Sequence, residues 1–411
     1  MNLTSPKNWK TVKLGDLVSK VIDNRGKTPP ISENGFELLE VNAITEKSRF
    51  PEYQLVKKFV DQDTYNSWFR TGHIQKGDII IPTVGTIGNV AISLEDRGSV
   101  AQNLIALRFK KENDSLFLYY VLAAPAFKKQ IFNLDIGGVQ PSVKVPHLLG
   151  SEIKIPESVD EQKEIAAILG SLDDKIELLR RENKTLESIA QALFREWFVE
   201  FRFPRYEGVN LIDGLPDGWR VGKLGDVAFV TKGNTPTTIG GKFVDKGINF
   251  IKAESITEQH GFLLTKFSFI DEHTNSLLNR SVIQAEDLLY TIAGTIGRFA
   301  LITKDLTPAN TNQAVAIIRA YQEIIDPYYL RCYFDIESVK ESLTGSVVEA
   351  VQANLSLGSI KDCEILIPDN QDMKLFIEKI KPLFLKVDLH NLEIQTLSSL
   401  RDDLLNRIFK S

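Results

Sequence analysis

Mostly apolar positions recur at alternating spacings of four and three along two stretches of the chain. In the first they are Leu172, Ile176, Leu179, Asn183, Leu186, Ala190, Leu193 and Trp197, and in the second Leu383, Val387, His390, Ile394, Leu397, Arg401, Leu404 and Ile408, at a constant offset of 211. That spacing is a heptad seam, and charge fills positions off the seam, as in Asp173-Asp174-Lys175 and Arg180-Arg181-Glu182. Each run predicts a helix of about 40 residues, or about 60 Å at about 1.5 Å per residue, which outreaches a single domain. Neither helix buries its seam alone, so the economical arrangement is an antiparallel pair within the chain. Asn183, matched by repeat position to Ile394, is expected to face it as a polar seam residue that fixes register; a water-accessible seam end is the competing account. Elsewhere the apolar runs are short and punctuated by Gly and Pro. Residues 77–82, 90–92 and 104–109 predict strands, and residues 116–132 predict a helix with Phe117, Tyr120, Val121 and Phe127 on one face.

The pattern repeats across the chain. Trp9-Lys10-Thr11-Val12-Lys13-Leu14-Gly15-Asp16 returns as Trp219-Arg220-Val221-Gly222-Lys223-Leu224-Gly225-Asp226. Gly26-Lys27-Thr28-Pro29 returns as Gly233-Asn234-Thr235-Pro236, Gly85-Thr86-Ile87-Gly88 as Gly294-Thr295-Ile296-Gly297, and Ile153-Lys154-Ile155-Pro156 as Ile365-Leu366-Ile367-Pro368. Order is preserved throughout, which marks a tandem duplication. The predicted fold is α+β: two mixed α/β globules in tandem pseudo-repeat, separated by two long helices pairing as an antiparallel coiled coil. The expected divisions are a globule over 1–158, a helix over 159–203, a linker and second globule over 204–368, and a helix over 369–411.

Composition narrows the function. The 411 residues carry 49 Lys+Arg against 54 Asp+Glu, a net charge of −5, with 43% hydrophobic residues, which is the balance of a globular chain of two to three domains. The apolar runs fall short of the ~18 to 20 residues of a membrane span, and no export signal is visible, so a cytoplasmic protein without a membrane partner is expected. Two cysteines, Cys332 and Cys363, build neither a disulfide framework nor a Cys-based zinc site. The five histidines show no ligand spacing. Gly26-Lys27-Thr28 lacks the first glycine of a phosphate loop, whose place is held by Val21. Asp326-Pro327-Tyr328-Tyr329 lacks the second proline of an amino-methyltransferase motif and reads as a turn opening a helix. A chain without chemistry of its own is expected, with no metal and no cofactor.

The ordered landmarks resemble those of the specificity subunit of type I restriction-modification systems, over essentially the whole chain. The resemblance rests on Trp219 to Asp226 after Leu215-Pro216-Asp217-Gly218, on the two Gly-Thr-Ile-Gly turns, and on Ile153-Lys154-Ile155-Pro156 followed by Asp160-Glu161-Gln162 and a heptad helix. At the second junction Asp369-Asn370-Gln371-Asp372-Met373 stands in place of Glu-Gln, with Gln371 alone surviving. The resemblance implies two target-recognition domains, each reading half of a bipartite asymmetric DNA sequence, with the coiled coil setting the gap. It implies two modification subunits that methylate adenine N6 with S-adenosylmethionine, and two restriction subunits that use ATP and Mg; these cofactors belong to the partners. The alternative is a coiled-coil protein-binding scaffold without sequence-selective DNA binding.

Arg, Asn and Gln make the discriminating contacts to base edges, so DNA contacts are sought among polar residues in turns. Thr86 with Asn89, and Thr295 with Arg298, flank the two Gly-Thr-Ile-Gly turns. Gln102-Asn103 and Asn312-Gln313 stand at matching places before an apolar strand, and Gln140-Pro141-Ser142 matches Gln352-Ala353-Asn354. Lys57-Lys58, Lys110-Lys111 and Lys128-Lys129 are local basic pairs suited to phosphates. Among these residues Arg298 is singled out; the competing account for all of them is turn and cap chemistry or a solvated face.

Overall fold

The structure, a computed structural model, describes residues 9–26, 28–135, 137, 140–345 and 354–410. The chain forms two compact units, residues 1–178 with 394–411, and residues 179–393.

In the first unit, strands Val18–Ile22, Leu104–Phe109, Ile79–Pro82 and Ala91–Ile92 lie side by side as an antiparallel sheet in that order. Its two central strands are covered on both faces. Ile79, Ile81, Ile105 and Leu107 pack toward Phe117, Tyr120 and the helix residues Ile165 and Leu169, while Ile80 and Ala106 pack toward Ile22, Leu39 and Val100. Burial on both faces explains why these strands are continuous apolar runs rather than alternating ones. A second sheet joins Phe59–Val60, Phe36–Leu39 and Ser99–Val100, the last pairing parallel. Trp9–Lys13 pairs with Glu152–Pro156, carrying the chain into the long helix Val159–Phe198.

The second unit repeats the plan. Strands Ala228–Lys232, Val315–Ala320, Leu288–Thr291 and Phe299–Leu301 form the antiparallel sheet, and Arg220–Lys223 pairs with Glu364–Ile367 ahead of the helix Asn370–Ile408. The two junctions also share a hydrogen bond. Trp9 Nε1 donates to Glu161 at 3.3 Å, and Trp219 Nε1 to Asp372 at 3.1 Å. Gln371 is therefore not the only survivor of the Glu-Gln pair: Asp372 takes the place of Glu161, and the buried Gln162 is replaced by the buried Met373.

The two units also share an ion pair on a buried carboxylate. Asp78, 1% exposed, accepts from Arg108 Nε and Nη2 at 2.9 and 2.8 Å; Asp287, also 1% exposed, accepts from Arg319 at 2.7 and 2.6 Å. Each carboxylate also accepts a backbone N–H, from Gln75 and Gln284 respectively, at 2.8 and 2.7 Å. The hydrogen-bonded carboxylate raises the pKa of the guanidinium in both cases, against the opposing effect of burial.

Two sequence expectations change. Residues 116–132 are two helices, Ser115–Ala123 and Pro125–Asn133, because proline biases the preceding residue to extended backbone and Ala124 adopts ψ 143; Phe117, Tyr120, Val121 and Phe127 are nonetheless all buried. On the seam, Asn183 pairs with Asn391 and His390 instead of facing Ile394. Its Nδ2 donates to Asn391 Oδ1 at 2.9 Å, and His390 Nδ1 lies 2.8 Å from Asn183 Oδ1. Repeat-equivalent residues coincide only under a repeat operation, whereas antiparallel helices bring opposite ends together. Within the second unit Asn183 meets Asn391 and Phe198 meets Phe376, so fifteen residues forward on one helix are fifteen back on the other. Ile176, Leu179, Val387 and Ile408 are buried, while Leu172, Leu186, Leu193, Leu383, Ile394, Leu397 and Leu404 are half-buried. Arg401 donates to Asp173 at 2.8 Å in the first unit.

Candidate nucleic-acid interface

The Gly-Thr-Ile-Gly turns and the Gln102-Asn103 and Asn312-Gln313 loops lie at one end of each main sheet. Antiparallel pairing sets Pro82 opposite Leu104, so the turn after one central strand and the loop before the other emerge together. Gly85 and Gly88 take φ of +84° and +89°, backbone that glycine adopts without steric cost, and this lets the Gly-Thr-Ile-Gly turn reverse tightly. The turn is tethered on both sides: Gly85 N–H donates to Pro141 at 2.9 Å, and Thr83 N–H to Asn103 at 2.8 Å.

Beside it lies a depression of about 410 Å³ whose lining includes Thr28, Glu40, Asn42, Lys58, Gln102 and Asn103. Gln102 and Asn103 are exposed, and Gln102 Nε2 donates to Thr28 Oγ1 at 3.1 Å. Lys58 is half-buried and pairs with Glu40 at 2.7 Å, while Lys57 beside it is exposed. Asn42 donates to the Leu55 carbonyl at 2.8 Å. The depression thus joins Lys58, Gln102 and Asn103, three of the residues selected by sequence, to Thr28, Glu40 and Asn42, which sequence reasoning missed. Thr28 had a signal, since it sits in the repeated Thr-Pro.

The second unit carries the counterpart. Thr235 Oγ1 donates to Gln313 Oε1 at 2.6 Å, and Asn312 Oδ1 accepts from the Ala314 N–H at 3.2 Å. The partner of Gln102 in the repeat is therefore Gln313 rather than Asn312. Strand pairing agrees: Leu107 lies opposite Ile79 and Ile318 opposite Leu288, and Ile318 − Leu107 gives 211, as does Gln313 − Gln102.

Two of the four turn residues, Asn89 and Arg298, have side chains tied locally. Thr86 is exposed, whereas Asn89 donates from Nδ2 to the Ile44 carbonyl at 3.2 Å. Arg298 reaches the Ile256 carbonyl at 3.5 Å and pairs with Glu258 at 2.8 Å. Asn89 and Arg298 thus brace matching loops against matching carbonyls. Thr295 is half-buried, and its carbonyl accepts from Thr291 Oγ1. Lys110-Lys111 follow the far end of the strand that Gln102-Asn103 precede, and Lys128 pairs with Glu46 at 2.9 Å. Gln140 is exposed; Gln352 and Ala353 lie outside the described residues. Asp326 caps the helix Pro327–Tyr333 by accepting from Tyr328 N–H at 2.8 Å, as the turn reading expects. Among the described residues no group of three or more His, Cys, Asp or Glu is placed to hold a metal, and no helix is long and apolar enough to cross a membrane.

Two matched polar loop clusters on a duplicated α+β frame, each frame carried into a heptad helix, define a tandem recognition protein. The comparisons with known proteins make this specific. The model of the type I restriction modification DNA specificity domain matches residues 6–188 and again residues 216–399. The chain belongs to the specificity subunits of type I restriction-modification systems, DNA-recognition components that are not themselves enzymes. It is 26% identical over 342 residues to the type I restriction enzyme MjaIX specificity subunit of Methanocaldococcus jannaschii, covering 81% of this chain and 77% of that one. It is 24% identical over 343 residues to the HindI specificity subunit of Haemophilus influenzae, covering 66% and 71%. The fold is similar to the crystal structure of the type I restriction-modification S subunit from M. genitalium, with a TM-score of 0.60 at 16% identity over 100% of this chain and 98% of that one.

Proposed function

We propose that each globule reads one half of a bipartite, asymmetric double-stranded DNA target, and that the paired helices set the unread gap between the halves. In this reading the chain recruits two modification subunits, which bind S-adenosylmethionine and methylate adenine N6, and two restriction subunits, which use ATP and Mg. It holds none of these cofactors itself and acts in the cytoplasm. The observation that carries the reading is the pair of matched clusters. One frame, built twice from Asp78–Arg108 and Asp287–Arg319, presents a polar loop set at the same end of each main sheet. Two copies of a reading surface with different side chains suit a target whose halves differ. The acidic balance of the chain is compatible with this, because phosphate contacts draw on local cations and on the partner subunits rather than on net charge.

The test is co-expression with the modification subunit of the same operon, followed by mapping of N6-methyladenine across the host genome. A new split motif is expected. A soluble complex with bound cofactor and no new methylation would favour the scaffold.

A further inference from the structure

The duplication supplies an internal control on which residues carry sequence information. What both globules share builds the frame, and what differs on that frame distinguishes their targets. The register makes the comparison residue by residue. Glu40 and Lys252 each precede a matching single helical turn, at φ, ψ of −110°, 174° and −109°, 168°, so Asn42 corresponds to Glu254. The Leu38 N–H donates to the Lys58 carbonyl, and Phe250 pairs with Ser268, so Lys58 corresponds to Ser268. Thr83 N–H donates to Asn103 O and Ile292 N–H to Ala314 O, both at 2.8 Å, so Asn103 corresponds to Ala314.

Around the shared threonine–glutamine bond, then, the chemistry changes at every one of four seats. In the first globule they hold Glu40 paired with Lys58, plus Asn42 and Asn103; all four line the depression. In the second they hold Lys252, with Nζ 4.0 Å from Glu254 and 5.1 Å from the Phe243 ring centroid, plus Ser268 and Ala314. Charge is reversed at the first seat, an amide becomes a carboxylate at the second, and a cation and an amide are lost at the others. Asn89 and Arg298 also differ, but both are tied to the matching carbonyls of Ile44 and Ile256.

We infer that half-site choice is set at these four seats, Glu40, Asn42, Lys58 and Asn103 in the first globule and Lys252, Glu254, Ser268 and Ala314 in the second, with Gln102 and Gln313 as positioning residues of a common frame. This rests on the reading of each globule as a half-site reader. Lysine and asparagine donors in the first globule suit the O6 and N7 acceptors of guanine in the major groove, whereas a carboxylate at 254 suits the amino donor of cytosine.

The test uses the complex with its modification subunits and maps N6-methyladenine for the unaltered chain, the single variants Asn42→Glu, Lys58→Ser and Asn103→Ala, and Gln102→Ala. The seat variants are expected to change preference at a position of one half-site by tenfold or more, leaving the other half and the gap as they were. Gln102→Ala is expected to lower methylation of the whole motif several-fold with its sequence unchanged. The singles replace exposed or half-buried side chains, so they probe reading without dismantling the core. An unchanged motif in all three singles, with complexes assembled, overturns the inference, as does a change in both half-sites. If the unaltered chain yields no split motif, the wider reading fails; if it yields one that the seat variants leave intact, only the seats fail.

Discussion

The buried ion pairs that build the two frames predict an asymmetry in the cost of breaking them. Asp78 is 1% exposed, whereas the Arg108 side chain keeps 25% of its surface in solvent. Removing one member of a buried pair costs about 3–5 kcal/mol, because the partner is left charged and unpaired. Arg108→Ala leaves the Asp78 carboxylate with the Gln75 N–H at 2.8 Å as its donor among the described residues, so the upper part of that range applies. Asp78→Ala strands a guanidinium that already reaches water and still donates to the His73 carbonyl at 3.1 Å, which reduces the cost to about 2–3 kcal/mol. At about 1.4 kcal/mol per tenfold, Asp78→Ala should lower amide protection across residues 79–109 by about 30- to 150-fold, and Arg108→Ala by more. Hydrogen exchange of the intact chain, read peptide by peptide, measures this while residues 288–320 serve as the reference. The double variant should cost less than the two singles together by about 2 kcal/mol. A larger cost for Asp78→Ala than for Arg108→Ala, or costs below about 1 kcal/mol for both, would refute a desolvated carboxylate as the anchor of the frame.

Further outcomes follow from other contacts. Asn183→Leu leaves His390 and Asn391 without their seam partner and should lower thermal stability by about 1–3 kcal/mol; a triple leucine variant at 183, 390 and 391 should recover that stability or exceed it, as calorimetry would show. Trp219→Phe removes a buried bond to Asp372 and should cost about 1–2 kcal/mol in urea denaturation, more than Trp9→Phe, whose bond to Glu161 is longer and partly exposed. Inserting one heptad into both long helices adds about 10 Å of rise and should lengthen the gap in the methylated motif by about three base pairs or abolish methylation; an unchanged gap would remove the spacer role.

Much of the architecture is legible in the sequence because it is periodic or duplicated. The heptads mark the long helices, and the repeated landmarks mark two copies of one fold. What escapes detection is neither periodic nor local. The repeat offset moves from 209 at the Gly-Thr-Ile-Gly turns to 211 at Arg319, so two additional residues lie between them in the second copy, and landmark matching set Gln102 beside Asn312 instead of Gln313. The replacement of Glu161 by Asp372 is invisible without the indole that both carboxylates hold. The bracing of Asn89 against Ile44 and of Arg298 against Ile256 spans about forty residues and leaves no local signature. For the candidate interface, sequence selected polar loop residues by type, and the fold separated those that brace a turn from those that line a depression.

The most direct measurement exchanges residues 1–155 for the matching domain of another specificity subunit and maps N6-methyladenine in the assembled complex. One half of the motif should change while the other half stays. A change in both halves, or in neither, would contradict the assignment of one half-site to each globule.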